Sequence, residues 1–164
     1  MGVRPAVKND ILPILKLQVE ADGSSIDAEA LAPAIDDVTR LVVVAVLDGS
    51  VVGWGKTHFW HYADGPAPAG HYLGGVTVTP NLRRRGIGIA LTQARLEWIW
   101  HRSMDAWYVV NPSNSASIEL HRRWGFIEAA RAPKFHTTEF TGGVGVLMRA
   151  KRHGSTLTGA QIIH

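Results

Sequence analysis

The passage from Leu73 to Ala94 constrains the fold of this chain more than any other, because it reads as a strand, a turn and a helix in immediate succession. Val76-Thr77-Val78 is a β-branched run, and Pro80-Asn81 ends it. Arg83, Arg84 and Arg85, with Gly86 and Gly88, then lead into apolar residues at Ile87, Leu91, Ala94 and Trp98, which form one face of a helix. The first N–H groups of a helix have no intrahelical partner, and glycine lets the backbone come close to a ligand. With three cationic side chains at that point, the turn predicts a site for a phosphate-bearing cofactor.

The rest of the chain must supply a fold around that unit. At 164 residues it is long enough for one domain with a sizeable core, and 46% hydrophobic with 19% charged residues is a globular composition. The longest apolar run, Leu41 to Leu47, is strand-length, far short of the roughly 20 residues of a membrane span, so no membrane role is expected. The N-terminus reads as neither an h-region nor a cleavage site, and a cytoplasmic location is the expectation. The chain has no cysteine, which removes disulfides, thiolate metal ligands and a cysteine nucleophile. A formal charge of +3 and a pI near 9.5 are mildly basic. No long basic stripe interleaved with aromatics accompanies them, so nucleic acid is not an expected partner.

In order, Val3–Val7 reads as an edge strand carrying Pro5, and Asn9 or Asp10 caps a helix running to about Glu20. Ile11, Leu12, Leu15 and Val19 are its expected buried stripe. A loop at 21–25 leads to a second helical segment from about Asp27 to Val38. Leu41–Leu47 and Val51–Trp60 form a hairpin about Asp48-Gly49-Ser50, with Gly53 and Gly55 weakening the second strand or allowing a bulge. After the central strand and helix come a strand at Ala106–Val110, a helix from the Asn111–Ser115 turn to Gly125, and strands at Phe126–Ala130 and Gly145–Arg149. The order β-α-α-β-β-β-α-β-α-β-β implies an α/β (α+β) chain: a mixed sheet with helices on both faces. Residues 1–150 form the expected single domain and 151–164 a short polar tail.

Two nucleotide signatures fail at the central turn. Gly86-Ile87-Gly88 lacks the third glycine of a dinucleotide fingerprint, and no Gly-Lys-Ser/Thr of a P-loop is present. The passage instead resembles the GCN5-related N-acetyltransferase family. Arg83-Arg84-Arg85-Gly86-Ile87-Gly88 matches its Arg/Gln-x-x-Gly-x-Gly/Ala signature, and Asn111 to Phe126 is similar to its Asn-x-x-x-x-x-Leu-Tyr-x-x-x-Gly-Phe segment. The resemblance covers roughly residues 2 to 150. It implies a mostly antiparallel central sheet of about seven strands whose central strands splay apart. It also implies acetyl-CoA as the acetyl donor, lying between the Leu73–Val78 and Ala106–Val110 strands. Main-chain groups around Val76, Thr77 and Val78 would pair with the pantetheine arm. Arg83, Arg84, Arg85, Gly86, Ile87, Gly88 and Ile89 would hold the pyrophosphate, and Asn114 would hydrogen-bond the pantetheine.

His121 stands where the family usually has Tyr, the residue often assigned to protonate the departing coenzyme A thiolate. Seven residues from Asn114, about 10.5 Å along a helix, it can face the same ligand. An imidazolium near its ordinary pKa of about 6.5 would serve as that acid. The attacking amine must also lose a proton, and Tyr72, His71 and Glu20 are the candidates, with Tyr72 where the family often carries Glu. The His58-x-x-His61 pair sends its side chains to opposite faces of a strand, so no metal site is expected. Asp22, Asp27 and Asp64 would attract a cationic amine, and Trp60 would flank the acceptor.

The implied function is transfer of an acetyl group from acetyl-CoA to a primary amine of a small molecule. An aminoglycoside-like antibiotic is one acceptor class, and the absence of cysteine favours direct attack in a ternary complex. A protein N-terminus or lysine is the alternative acceptor, and a catalytically idle acyl-CoA-binding module is the alternative of another kind. A homodimer is a further expectation from the resemblance.

Overall fold

Val42 and Val44 alternate with Val43 and Ala45 along one strand, and all four are buried, so this strand requires cover on both faces. The computed structural model, which describes residues 1–153, shows how it is covered. The elements are β1 (Gly2–Pro5), α1 (Ile11–Asp22), α2 (Ala28–Asp36), β2 (Val42–Leu47), β3 (Ser50–Trp60), β4 (Gly70–Val78) and α3 (Ile87–Trp100). They continue with β5 (Asp105–Val110), α4 (Ser115–His121), β6 (Ile127–Ala132), β7 (Lys134–Phe135), β8 (Thr138–Glu139) and β9 (Gly145–Lys151). Seven strands form one sheet in the order β1-β2-β3-β4-β5-β9-β6. Among the described strands of this sheet only β4 and β5 pair in parallel; every other neighbouring pair is antiparallel.

Helices α1 and α2 cover one face. Ile14, Leu17 and Leu31 pack there against Val42, Val44 and Trp54. On the other face Ile87 and Leu91 of α3 pack against Val43 and Ala45. Ile14 and Leu91 are fully buried, and each such side chain contributes about 1.5–3 kcal/mol. Both glycines of β3 serve this contact. A Cβ at Gly53 would lie 3.0 Å from the Leu91 side chain, and one at Gly55 3.2 Å from Arg95 Nε. The expected bulge is present as well, between Gly55 and Thr57.

The α1 stripe differs from expectation. Ile14, Leu17 and Gln18 are the buried residues, while Leu12 is 76% and Val19 54% exposed. Gln18 explains the displacement: its Oε1 accepts from Trp54 Nε1 and Thr77 Oγ1, both at 2.9 Å, so a polar residue occupies the core-facing position. The hairpin of β7 and β8 has no counterpart in the sequence reading. The last strand runs to Lys151, and the predicted tail from residue 154 onward lies outside the described residues.

The site-forming feature is the junction of β4 and β5. These strands share one register pair, Tyr72 with Trp107, and beyond it they diverge without a ladder. The backbone of Gly74–Val78 on one side and Tyr108–Val110 on the other is therefore available to something other than a strand.

Candidate active site

A cleft of about 620 Å³ fills the splay between β4 and β5. It runs from Asn114, the N-cap of α4, and Ser117 and His121 on that helix, past Gly74 and Gly75, to Trp60 and His136. No Asp or Glu stands among its described lining residues.

The floor is held by Arg95, which the sequence reading did not single out. It is 1% exposed and forms no ion pair among the described residues. Its guanidinium donates to Lys56 O (3.0 Å), Gly74 O (2.8 Å), Leu91 O (3.2 Å) and Thr92 Oγ1 (2.9 Å). Lys56 and Gly74 flank the β3 bulge, so a buried cation satisfies carbonyls where the regular ladder breaks. Burial pulls its pKa down to about 10, which leaves it charged at neutral pH. An arginine at a helical core position is the only trace of this in the sequence.

On the α4 side, His121 is 7% exposed and donates from Nδ1 to Ser117 O at 2.7 Å, which leaves Nε2 as the bare nitrogen of the neutral ring. Its ring stacks on Tyr108 with centroids 4.1 Å apart and meets Phe126 edge-on. Burial pushes its pKa down to about 4, with Arg95 adding repulsion. At neutral pH the ring is uncharged, so the imidazolium expected from the sequence is not the form present. The neighbouring Tyr108 hydroxyl is buried and without a partner among the described residues. Burial pushes its pKa up to about 12, so it keeps its proton. Asn114 caps α4 by accepting from Ser117 N at 3.1 Å, and it lines the cleft.

Beyond the splay the cleft is aromatic. Trp60 and His136 stack with centroids 4.3 Å apart, and His136 and Phe135 belong to the β7–β8 hairpin. Tyr72 donates to Pro68 O at 2.7 Å, and burial raises its pKa well above the ordinary phenol value. A phenol so engaged and so reluctant to ionise is a poor base. His71 is buried against Phe59 and Trp98 and does not line the cleft, and Glu20 lies outside it beside Lys16. The three candidate acids are spent locally: Asp22 accepts from Gln18 and Ser24, Asp27 caps α2, and Asp64 closes a turn with Ala67. His58, by contrast, lines the cleft.

The arginine–glycine turn lies outside this cleft, at the N-terminus of α3. Arg84 (φ 62°) and Gly86 (φ 83°) both adopt left-handed backbone, which turns the chain sharply into the helix. None of the amides from Arg84 to Ile89 donates to a backbone carbonyl among the described residues, and the first helical bond is Ala90 N to Gly86 O. A Cβ built at Gly86 or Gly88 meets nothing within 4 Å. The result is an open cradle of free N–H groups beside the exposed Arg84 and Arg85, which fits a phosphate group. Arg83 is different: it donates to Val78 O (3.3 Å) and Ala21 O (3.2 Å), bracing the turn against the end of α1. Val76 and Val78 pack toward α3, and the Thr77 hydroxyl is held by Gln18, so only their main chain faces the splay.

A model of the acetyltransferase (GNAT) family matches residues 10–126. The chain is 28% identical over 143 residues to aminoglycoside N(6')-acetyltransferase type 1 of Klebsiella aerogenes, covering 81% of this chain and 93% of that protein. Its fold is similar to that of yncA from Salmonella typhimurium, solved with its cofactor acetyl-CoA: TM-score 0.73, 21% identity, 98% of each chain covered. The ribosomal-protein-alanine N-acetyltransferase of Brucella melitensis gives a TM-score of 0.70 at 22% identity, covering 92% of this chain and 99% of that one.

Proposed function

The chain belongs to the acetyltransferase (GNAT) family, N-acetyltransferases that use acetyl-CoA, and from that premise we propose that it acetylates a primary amine of a small molecule by direct attack in a ternary complex. The observation that carries this reading is the cleft through the β4–β5 splay, walled at its far end by Trp60 and the β7–β8 hairpin. A walled chamber suits a small acceptor better than a polypeptide. We take residues 1–150 as one catalytic domain.

Acetyl-CoA supplies an activated thioester carbonyl. The free amides of Arg84 to Ile89, with the charges of Arg84 and Arg85, would hold its phosphates, while Arg83 keeps the turn in shape. Main-chain groups around Val76, Thr77 and Val78 would pair with the pantetheine arm, and Asn114 Nδ2 would donate to it. His121, as a neutral ring, and Tyr108, with its proton, would stand at the thiol end, where Tyr108 would donate a hydrogen bond to the departing sulfur.

The Klebsiella relative makes an aminoglycoside-like amine one acceptor class. The lack of a carboxylate among the described lining residues argues for a monoamine, entering as its neutral base, over a polycation. Initial-rate kinetics test the proposal. Thiol release with a small monoamine should give intersecting double-reciprocal lines and a higher kcat/KM than an aminoglycoside. Thiol release with no small amine contradicts it.

A further inference from the structure

Direct attack leaves a proton on the acceptor nitrogen, and Tyr72, His71 and Glu20 are all badly placed to remove it. Six titratable side chains among the described residues line the cleft, and five are engaged or on the wrong side. Tyr72 donates to Pro68 O, Arg95 to four oxygens, and His136 Nε2 lies 3.3 Å from Pro68 O with its ring on Trp60. Tyr108 holds its proton, and it stacks with His121 in the cluster that faces α3 and α4. His58 is the exception. It is half-buried and makes no hydrogen bond among the described residues. It sits directly across the ladder from Tyr72, so the two side chains share the face that carries the aromatic end of the cleft. Its Nε2 lies 3.2 Å from the point where a Cβ on Gly74 would be, which puts a ring nitrogen at the mouth of the splay.

On the reading that this cleft acetylates a small amine, we propose that His58 is its general base. The acceptor nitrogen attacks the thioester carbonyl as a neutral amine, forming the C–N bond and leaving positive charge on nitrogen. His58 Nε2 takes one N–H proton, the C–S bond breaks, and the electron pair leaves on sulfur. The thiolate is protonated from solvent and the imidazolium returns its proton there, so one amine and one thioester become one amide and one thiol. Burial and the nearby cations Lys56 and Arg40 pull the ring's pKa down to about 4, so its lone pair is free at neutral pH. A base this weak serves a nitrogen already acidified by bond formation, not a free ammonium.

The test is His58→Gln and His58→Asn in the full chain. Both should bind acetyl-CoA by calorimetry as wild type does, while kcat falls by about 10²-fold, and added imidazole should restore part of the rate to His58→Ala. In wild type, the His58 ring resonances, assigned by their loss in His58→Gln, should shift when a substrate amine is added to the coenzyme A complex. Wild-type turnover in His58→Gln overturns the assignment and leaves the transferase reading intact. An equal loss of coenzyme affinity and turnover overturns it as well, since the ring would then only support the fold. A wild-type protein that releases no thiol with any amine removes both this assignment and the reading beneath it.

Discussion

His121 shows what a single residue's surroundings do to an expectation drawn from its type. Its place on a helix two turns from Asn114 was legible from spacing, but α4 stops at His121 and a 3-10 turn over Arg122–Trp124 follows before Gly125, whose φ of 78° supplies the expected left-handed stop. Its protonation was not, because the ring is desolvated by Tyr108 from β5 and Phe126 from the far end of the segment. The ring should therefore titrate with a midpoint near 4 by NMR, and a midpoint above 6 would contradict the described packing. Tyr108→Phe should lower kcat by about tenfold with unchanged acetyl-CoA affinity, as measured by steady-state kinetics and calorimetry. His58 was weighed in the sequence only as half of a pair with His61; the pairing with Tyr72 and the bulge beside it, which bring it to the cleft, are not legible there.

At the scale of elements, the strand–turn–helix from β4 to α3 was the most legible part of the chain, since proline, glycine and apolar period all agree there. Gly88→Ala tests it. Open space around Gly88 and the higher helix propensity of alanine predict equal or slightly greater stability, by up to about 0.8 kcal/mol. Acetyl-CoA affinity should nevertheless fall by about tenfold or more if phosphate occupies that space, and unchanged affinity would remove the cradle. Arg95 belongs to the same helix and was invisible, because its role depends on carbonyls of two other strands. Arg95→Met should cost about 2–4 kcal/mol in urea unfolding by orphaning the carbonyls of Lys56 and Gly74. A loss under 1 kcal/mol would mean those carbonyls find water instead. The α1 stripe was misread because Gln18 hides its burial behind a polar side chain. The β7–β8 hairpin escaped notice because Lys134–Glu139 has no strand-like alternation beyond Phe135.

For the whole molecule, the strand and helix order fixed a mixed sheet covered on both faces, while the splay that makes it useful came from the family resemblance and not from periodicity. Two desolvated histidines give the molecule a collective property. His58 and His121 both have folded pKa values near 4, below the unfolded value of about 6.5. The unfolded state thus binds protons first as pH falls. Their contribution to stability is complete above about pH 6.5, is lost progressively down to about pH 4, and amounts to a few kcal/mol. Urea midpoints measured from pH 7.5 to 4 should show this fall, and His121→Gln should reduce it. The most direct test of the central claim is thiol release from acetyl-CoA against a panel of small primary amines, aminoglycosides and peptides with free N-termini or lysines. The account predicts turnover on small monoamines, less on polycations and least on peptides. Tight acetyl-CoA binding with no thiol release across the panel, or release with peptides alone, would contradict it.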